Sequence, residues 1–245
     1  MGVTWLGETH EGATVVFRVG REGDRLVAEW PGLVSVDVAR DGTDLHVVPQ
    51  EGADARQVAK LRASTIPALL RHLEGKLTLH ASAVTAHGKA VAFLGDSGRG
   101  KSTIAFELAN TSGAFALLAD DCLRVEGICA EPFDEVAWID RASAKTPLRP
   151  ARVARSAAPI AAIFLLEWGD QLRVSRLKGN AVGAVLERAL IRFVLDEPTV
   201  HVADLERLGN LASQVPVYEL RRPRDVSYFP ATIVELERRL SSDNL

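Results

Sequence analysis

The chain has 245 residues, of which 47% are hydrophobic and 25% are charged, and its formal net charge is −3. Such a composition is typical of a globular protein with one large domain, or with one domain and a small appendage. The sequence contains no basic tract and no interleaved arginines and aromatic residues, so a nucleic-acid partner is not predicted.

The first residues lack a basic start followed by a long apolar run, which a secretory signal would require. The longest apolar stretch, residues 157–166, is too short to cross a bilayer. We therefore expect a cytoplasmic protein with no membrane partner. The two cysteines, Cys122 and Cys129, are too few for a disulfide framework and have no metal-ligand spacing with histidines.

Residues 13–49 alternate apolar and polar side chains in short bursts, which is the pattern of antiparallel strands. The bursts are ATVVFRV, RLVAEW, LVSVDVA and DLHVV. The dipeptide Asp41-Gly42 between the last two bursts is typical of a hairpin turn. We therefore predict that residues 1–55 form a small β-rich appendage.

Residues 56–245 are predicted to form an α/β domain with helices on the faces of a sheet. Helical segments interrupted by Pro67 come first, and a strand over residues 77–86 follows. Further apolar runs and periodic segments predict strands at 89–95, 114–120 and 160–168, and helices at 101–110, 180–195, 202–213 and 230–241.

The stretch GDSGRGKST, residues 95–103, has the spacing of a phosphate-binding loop between a strand and a helix. Glycines let successive backbone N–H groups point at phosphate oxygens, and the following helix N-terminus favours an anion. Lys101 is expected to reach the β- and γ-phosphates, and the Ser102 hydroxyl is expected to bind Mg²⁺. The predicted nucleotide-binding residues are Gly95, Asp96, Ser97, Gly98, Arg99, Gly100, Lys101, Ser102 and Thr103.

The segment LLADD places Asp120 and Asp121 at the end of an apolar strand, where nucleotide-binding enzymes hold a carboxylate beside magnesium. Adjacent strand residues point to opposite faces, but a turn at the strand end can bring both to one site. We assign proton acceptance to Asp120 and metal support to Asp121, and these two roles can be exchanged. The alternative is that one aspartate simply caps a turn.

The segment LHASAV places His80 on the strand that precedes the loop strand. Strand alternation puts His80, Ser82 and Val84 on one face. A lone histidine on a strand is more often a satisfied core residue than a catalytic one.

LHASAV, GDSGRGKST and LLADD, in this order and spacing, resemble the C-terminal kinase domain of bacterial HPr kinase/phosphorylase, whose fold is related to phosphoenolpyruvate carboxykinase. The resemblance implies that the loop binds ATP, that His80 lies near the transferred phosphoryl group, and that the aspartates serve proton transfer and metal binding. It implies ATP and Mg²⁺ as cofactors, catalytic roles for Asp120, His80 and Lys101, and metal contacts from Ser102 and Asp121. It also allows a homo-oligomer.

The acidic-Arg-Gly motif of those enzymes has no good copy here, since RVEGIC offers only Glu126 and EPFDEV lacks the glycines. Their large N-terminal domain also has no counterpart. The segment 214–225 resembles shorter HPr-kinase-like proteins, including kinases of lasso-peptide gene clusters that modify a precursor peptide. Arg141, Lys145 and Arg149 are candidates for guiding an acidic substrate segment, or else belong to a solvated loop.

These features predict an ATP-dependent kinase that transfers the γ-phosphoryl group to a serine hydroxyl of a peptide or small protein, such as a ribosomally made precursor peptide. The alternatives are an HPr serine kinase of sugar regulation, a small-molecule kinase or nucleotide hydrolase, and a non-catalytic nucleotide-sensing module. The presence of both aspartates argues against a non-catalytic nucleotide-sensing module, because a protein that only binds nucleotide needs no proton acceptor.

Overall fold

A computed structural model of the chain describes residues 2–39, 41–111, 113–141, 144–193 and 198–241. The chain divides into two compact units, Met1–Lys76 with Ile191–Asp204, and Leu77–Leu190 with Leu205–Leu245. The division after residue 55 that we inferred from the sequence stays a prediction. No helix in the described part of the chain is long and apolar enough to cross a membrane.

The first unit contains a five-stranded antiparallel sheet, whose last four strands match the four predicted bursts and whose first strand was not predicted. Its strands follow one another in chain order and are β1 Thr4–Glu11, β2 Thr14–Glu22, β3 Arg25–Trp30, β4 Val34–Ala39 and β5 His46–Pro49. In β3 and β4 every second residue is buried, so one face of the sheet covers a core. The predicted turn at Gly42 has a φ of +79°, but the connection from β4 to β5 is longer than a two-residue hairpin.

The helical segment after this sheet begins at a capped N-terminus. The Asp54 carboxylate accepts hydrogen bonds from the N–H groups of Arg56 and Gln57, at 2.8 and 3.0 Å. The segment comprises α1 Ala55–Lys60, a π-helical turn Leu61–Thr65 and α2 Ile66–Leu73. Pro67 lies in the first turn of α2, where its missing N–H costs least. The helix is therefore interrupted by the π-helical turn Leu61–Thr65 that precedes α2.

The second unit contains a nine-stranded mixed sheet and a separate hairpin. The sheet runs β6-β10-β11-β14-β8-β7-β9, with β16 also paired to β14 and β15 paired to β16. The strands are β6 Leu77–Leu79, β7 Ser82–Ala86, β8 Lys89–Leu94, β9 Ala116–Ala119, β10 Leu123–Glu126, β11 Cys129–Glu131, β14 Ala158–Trp168, β15 Arg173–Arg176 and β16 Val217–Arg222. The hairpin is β12 Ala137–Arg141 with β13 Ala144–Leu148.

In the described part of the chain, four α-helices follow strand β8. They are α3 Lys101–Thr111, α4 Asn180–Ala189, α5 Pro198–Gln214 and α6 Phe229–Ser241. Successive residues of β8 point to opposite faces of the sheet. Phe93 joins a core cluster with residues of α3 and α6, whereas Leu94 joins a second cluster with residues of α4 and α5. The second unit is therefore a mixed α/β fold with two apolar layers, as the element order predicted.

The parallel strands β8, β14 and β16 position the candidate site. β14 pairs in parallel with β8 on one side and with β16 on the other. Their carboxyl ends, at Leu94, Trp168 and Arg222, therefore lie along the same edge of the sheet. The loop at residues 95–100 leaves from this edge.

Two predicted elements were wrong in extent. The strand predicted over residues 77–86 is split into β6, which pairs with β10, and β7, which lies between β8 and β9. The helix predicted at 180–195 ends at Ala189, because Leu190 takes an extended conformation and bridges to Leu79. Residues 194 and 195 of that prediction lie outside the described residues.

Candidate active site

The glycine-rich loop, residues 95–100, joins the end of β8 to the start of α3 at Lys101. Gly95, Gly98 and Gly100 have φ angles of +138°, +80° and +85°, a region that side-chain-bearing residues rarely adopt. Strand, loop and helix therefore follow one another as predicted. The N-terminus of α3 presents unpaired backbone N–H groups, which favour a bound anion.

Two of these glycines are also required by close neighbours. A Cβ atom on Gly95 would lie 3.0 Å from the Leu166 carbonyl oxygen. A Cβ atom on Gly100 would lie 2.5 Å from Nη2 of Arg222. The second contact shows that the Arg222 guanidinium lies directly against the loop.

We expect Gly100→Ala to reduce nucleotide binding as well as stability, because the added methyl group would displace the Arg222 guanidinium. The matched control is Gly88→Ala, since Gly88 has a similar φ of +75° but has no atom within 4 Å of the added Cβ. Both variants should lose about 1 to 2 kcal/mol of unfolding free energy from the left-handed backbone alone. Urea unfolding and titration with Mg-ATP measure the two effects, and equal nucleotide affinity in both variants would contradict the expectation.

Lys101 is buried, with only 6% of its surface exposed. Its Nζ donates hydrogen bonds to the carbonyl oxygens of Gly95 and Asp96, at 2.8 and 3.4 Å. Burial lowers the pKa of the ammonium group, while the carboxylates of Asp121 and Asp120 oppose that change. The lysine is thus folded back over the loop that it follows, where phosphate oxygens would meet it.

Ion pairs attach the loop to the neighbouring elements. The Asp96 carboxylate pairs with Arg188 of α4 at 2.6 Å, and Arg99 pairs with Glu167 of β14 at 3.1 Å. These two loop residues were predicted to contact nucleotide, which stays a prediction, and their side chains pair with charged groups of the neighbouring elements. Their backbone groups remain part of the loop.

A cavity of about 250 Å³ lies in front of the loop, and we call it the first cavity. It is lined by most of the residues predicted from the sequence and by several that were not predicted. The lining comprises His80, Ser97, Gly98, Gly100, Lys101, Ser102, Thr103, Asp121, Trp138, Lys145, Trp168, Arg222, Arg224 and Phe229. Four of these side chains are Lys or Arg and one is a carboxylate, so the cavity is suited to an anion.

Asp120 lies behind the first cavity and is fully buried. One carboxylate oxygen accepts from the Ser82 hydroxyl at 2.5 Å, and the other accepts from the Trp138 N–H at 2.7 Å. The Ser102 hydroxyl lies close enough to this carboxylate to favour its ionised form. Burial raises the pKa of Asp120, and the neighbouring Asp121 charge raises it further. Asp120 therefore lies next to the Ser102 hydroxyl, which was predicted to bind magnesium.

The Asp121 side chain, unlike that of Asp120, lines the first cavity. Its φ of +61° is the turn at the strand end that the paired aspartates require. Its Oδ2 atom lies 3.9 Å from Nζ of Lys145, and 8% of its side chain is exposed. Among the described residues that line this cavity, Asp121 is the only one with a carboxylate.

His80 lies between β6 and β7, and its ring lines the first cavity. Nδ1 is 3.1 Å from the backbone carbonyl oxygen of Asp121. A carbonyl can only accept, so Nδ1 carries the proton and Nε2 is the acceptor nitrogen of the neutral ring. Burial lowers the pKa of His80, and the Lys101 charge lowers it further. The imidazole is therefore neutral at pH 7.

Arg222, at the end of β16, is the main site residue that sequence reasoning missed. It is 4% exposed, its Nη2 donates to the Arg99 carbonyl at 3.0 Å, and burial lowers its pKa to about 10. Its guanidinium lies 4.5 Å from the Trp168 ring centre and 5.3 Å from that of Phe229. Nε has no hydrogen-bond partner among the described residues. A buried guanidinium in this position calls for an anionic partner.

The basic residues predicted to guide substrate have different surroundings. Lys145 lines the first cavity beside Asp121. Arg149 pairs with Glu135 at 3.0 Å and does not line that cavity. The Arg141 side chain lies outside the described residues.

Asp134, within the EPFDEV segment, supports the aspartate pair from behind. Its Oδ2 accepts a hydrogen bond from the Asp120 N–H at 2.8 Å. Burial raises the pKa of the Asp134 carboxyl to about 7, against 3.8 for the exposed group. The sequence shows only that the EPFDEV segment contains several acidic residues, and it does not indicate which of their side chains is buried.

The stability of the metal-free protein should depend on this carboxyl. The folded protein holds the Asp134 proton up to about pH 7, whereas the unfolded chain releases it near pH 3.8. The stabilisation is therefore complete below pH 3.8 and is lost as the pH rises through about 7. Asp134→Asn keeps an acceptor oxygen but cannot ionise. We expect it to gain about 4 kcal/mol relative to the parent between pH 4 and 8, measured by urea unfolding in EDTA, and parallel stability curves would contradict this.

Magnesium fits the residues present, although they do not form a complete protein cage. Among the described residues no group of three or more His, Cys, Asp or Glu side chains is arranged to hold a metal ion. Mg²⁺ is usually bound by one or two carboxylates together with substrate phosphates and water. The Ser102 hydroxyl lines the first cavity and provides a hard oxygen ligand of this kind, and the buried Asp120 carboxylate lies behind it.

Solved structures include proteins similar to this chain, whereas family models and curated proteins include none. No protein-family model matches the chain, and no curated protein matches it. Among solved structures, the HPr(Ser) kinase/phosphatase from Coxiella burnetii is similar at 12% sequence identity and a TM-score of 0.38, over 67% of this chain and 99% of that chain. Because that TM-score is low, the functional conclusion rests on the geometry of the site, and membership of the HPr-kinase-like family stays a prediction.

Proposed function

We propose that this protein is an ATP-dependent kinase that transfers the γ-phosphoryl group to a serine hydroxyl of a peptide or small protein. The observation that carries the proposal is the meeting of three groups at the first cavity. Lys101 and Arg222 provide buried positive charge beside the glycine-rich loop, and Asp121 provides a carboxylate that faces them. Phosphoryl transfer needs this combination of charge neutralisation and positioning of the nucleophile.

The β- and γ-phosphates of ATP would lie along the loop, between its backbone N–H groups and the Lys101 ammonium group. The Arg222 guanidinium is held in place by Trp168 and Phe229, and it would contact the phosphates without further rearrangement. The Ser102 hydroxyl, with the Asp120 carboxylate behind it, would hold Mg²⁺, which would neutralise charge on the phosphate oxygens.

We assign proton acceptance to Asp121 and the magnesium-side role to Asp120, which is the reverse of the order first expected from the sequence. Asp121 faces the cavity, whereas both oxygens of Asp120 already accept hydrogen bonds from protein groups. The serine oxygen would attack the γ-phosphorus while the bond to the β,γ-bridging oxygen breaks. ADP leaves with that oxygen, and the hydroxyl proton passes to the Asp121 carboxylate.

His80 is a positioning residue in this proposal. Its Nδ1–H holds the Asp121 backbone through the carbonyl oxygen, so it fixes the turn that aims the carboxylate into the cavity. Its neutral ring adds no positive charge that would lower the basicity of Asp121. A His80→Ala variant would therefore affect transfer through Asp121 rather than through ATP binding.

A small-molecule acceptor is the second candidate, and one observation favours it. A second cavity of about 320 Å³ lies beside the loop and is lined partly by His80, Gly95, Leu165 and Val185. This volume falls within the range of small-ligand sites, about 300 to 1,000 Å³. His80 lines both cavities, so an acceptor in the second cavity would lie next to the first.

The test is incubation of the purified protein with Mg-ATP and peptides encoded by neighbouring genes, with HPr as a parallel acceptor. Transfer to a peptide serine adds about 80 daltons, which mass spectrometry localises. Phosphorylation of HPr alone would favour the sugar-regulation alternative. Rapid ADP release without any peptide or protein acceptor would favour a hydrolase or a small-molecule kinase, and the absence of ATP turnover under every condition would refute the kinase proposal.

A further inference from the structure

An apolar groove between α3 and α6 has no role in the mechanism described above. We call it the α3–α6 groove, and its volume is about 580 Å³. The α6 wall contributes Phe229, Pro230, Ile233 and Val234, and 62% of the Val234 surface is exposed. An exposed apolar groove of this kind beside a polar cavity is typical of a ligand site.

We propose that the α3–α6 groove is the binding site for the nucleobase of the ATP whose phosphates lie on the glycine-rich loop. This inference rests on the proposed function and adds the position of the base to it. The first cavity and the α3–α6 groove are continuous. Thr103 and Phe229 line both the first cavity and the groove, so a single molecule can extend from one into the other.

The direction of the nucleotide follows from the groups at its two ends. The γ-phosphate must face the catalytic side, where Asp121 and His80 line the first cavity but not the groove. The α-phosphate and the nucleoside must then leave on the opposite side. Thr103, in the first turn of α3 and two residues after Lys101, lines the groove as well as the first cavity, so the nucleoside would leave past it.

The charges of the groove exclude a further phosphate site and fit a base. Its described lining contains two carboxylates, Glu107 and Glu237, and no Lys, Arg or His side chain. Carboxylates repel phosphate but accept hydrogen bonds from exocyclic amino groups and ribose hydroxyls. The Phe229 ring and the aliphatic side chain of Ile233 provide the apolar surface on which a planar base packs.

The second cavity does not fit the base equally well. Its lining includes His80, and it includes neither Thr103 nor Phe229. It therefore lies beside the γ-phosphate end of the nucleotide. That position is suited to the acceptor.

The experiment compares Mg-ATP with inorganic tripolyphosphate, which carries the same phosphate chain without a base. Titration calorimetry measures both ligands on the parent and on Val234→Asp, Ile233→Asp and Ala231→Asp. Val234 is largely exposed, so its replacement leaves the fold intact even if Ile233→Asp does not. Ala231 is exposed on the same helix but does not line the groove, and it is the matched control for added charge.

We expect Val234→Asp and Ile233→Asp to weaken Mg-ATP binding by about tenfold or more, since the base would lose aliphatic contact and meet a charged carboxylate instead. Tripolyphosphate affinity should change equally little in all three variants, and Ala231→Asp should bind Mg-ATP like the parent. Unchanged Mg-ATP affinity in Val234→Asp would overturn the groove assignment while leaving the loop intact. Failure of the parent to bind either ligand would overturn the proposed function and the groove assignment together.

Discussion

Asp121→Asn should lower phosphoryl transfer by about 100-fold or more at saturating Mg-ATP, while leaving nucleotide affinity nearly unchanged. The carboxylate that faces the first cavity is lost as a proton acceptor, but size and shape are conserved. Asparagine also tolerates the left-handed backbone that Asp121 adopts, with a φ of +61°. Single-turnover transfer to the acceptor peptide, together with calorimetric ATP binding, measures the two quantities separately.

The control for this prediction is Asp120→Asn, which makes the same replacement of a carboxylate by an amide at the other aspartate. Because the Asp120 carboxylate lies behind the Ser102 hydroxyl and would orient it towards the metal, this variant should need a higher magnesium concentration for half-maximal activity. Transfer at saturating magnesium should then recover further in Asp120→Asn than in Asp121→Asn. If Asp120→Asn alone abolished transfer at every magnesium concentration and still bound Mg-ATP like the parent, the proton-acceptor role would return to Asp120.

Lys101→Ala should weaken Mg-ATP binding by about 10- to 100-fold, the loss expected for hydrogen bonds between a charged donor and phosphate oxygens. Transfer should fall below detection, since the γ-phosphate would lose its lysine contact. Fluorescence titration with a labelled ATP analogue and a transfer assay measure these effects.

The matched control for Lys101→Ala is Lys76→Ala, which removes an equal charge from an exposed lysine paired with Glu74. Urea unfolding should show that both variants are folded. In Lys101→Ala the carbonyls of Gly95 and Asp96 lose an internal donor, so a small loss of stability is expected there alone. Normal ATP binding and turnover by Lys101→Ala would show that residues 95–103 are not a nucleotide loop.

Local sequence was sufficient for the glycine-rich loop and its flanks. Strand β8, the loop and helix α3 are contiguous, so periodicity and glycine spacing together indicate their order. The aspartates at the end of β9 were accessible in the same way, since an apolar run ends in two acidic residues. Which aspartate faces the cavity depends on the single left-handed turn at Asp121, and the sequence contains no clear signal for that turn.

Non-local sheet pairing explains what could not be predicted. The segment LTLHASAVTA alternates without a glycine or a proline, so it resembles one strand. It breaks at His80 because β6 pairs with β10 while β7 inserts between β8 and β9. Arg222 was missed for the same reason, since it reaches the loop only because β16 pairs with β14.

The contact between Arg222 and the Arg99 carbonyl joins positions that are 123 residues apart. At a synthesis rate of about 5 to 20 residues per second, roughly 6 to 25 seconds separate the appearance of the loop from that of its arginine. A nascent chain that already carries the loop, the lysine and both aspartates therefore still lacks the guanidinium that lies against Gly100. Ribosome-bound chains arrested before residue 222 should consequently hold ATP poorly.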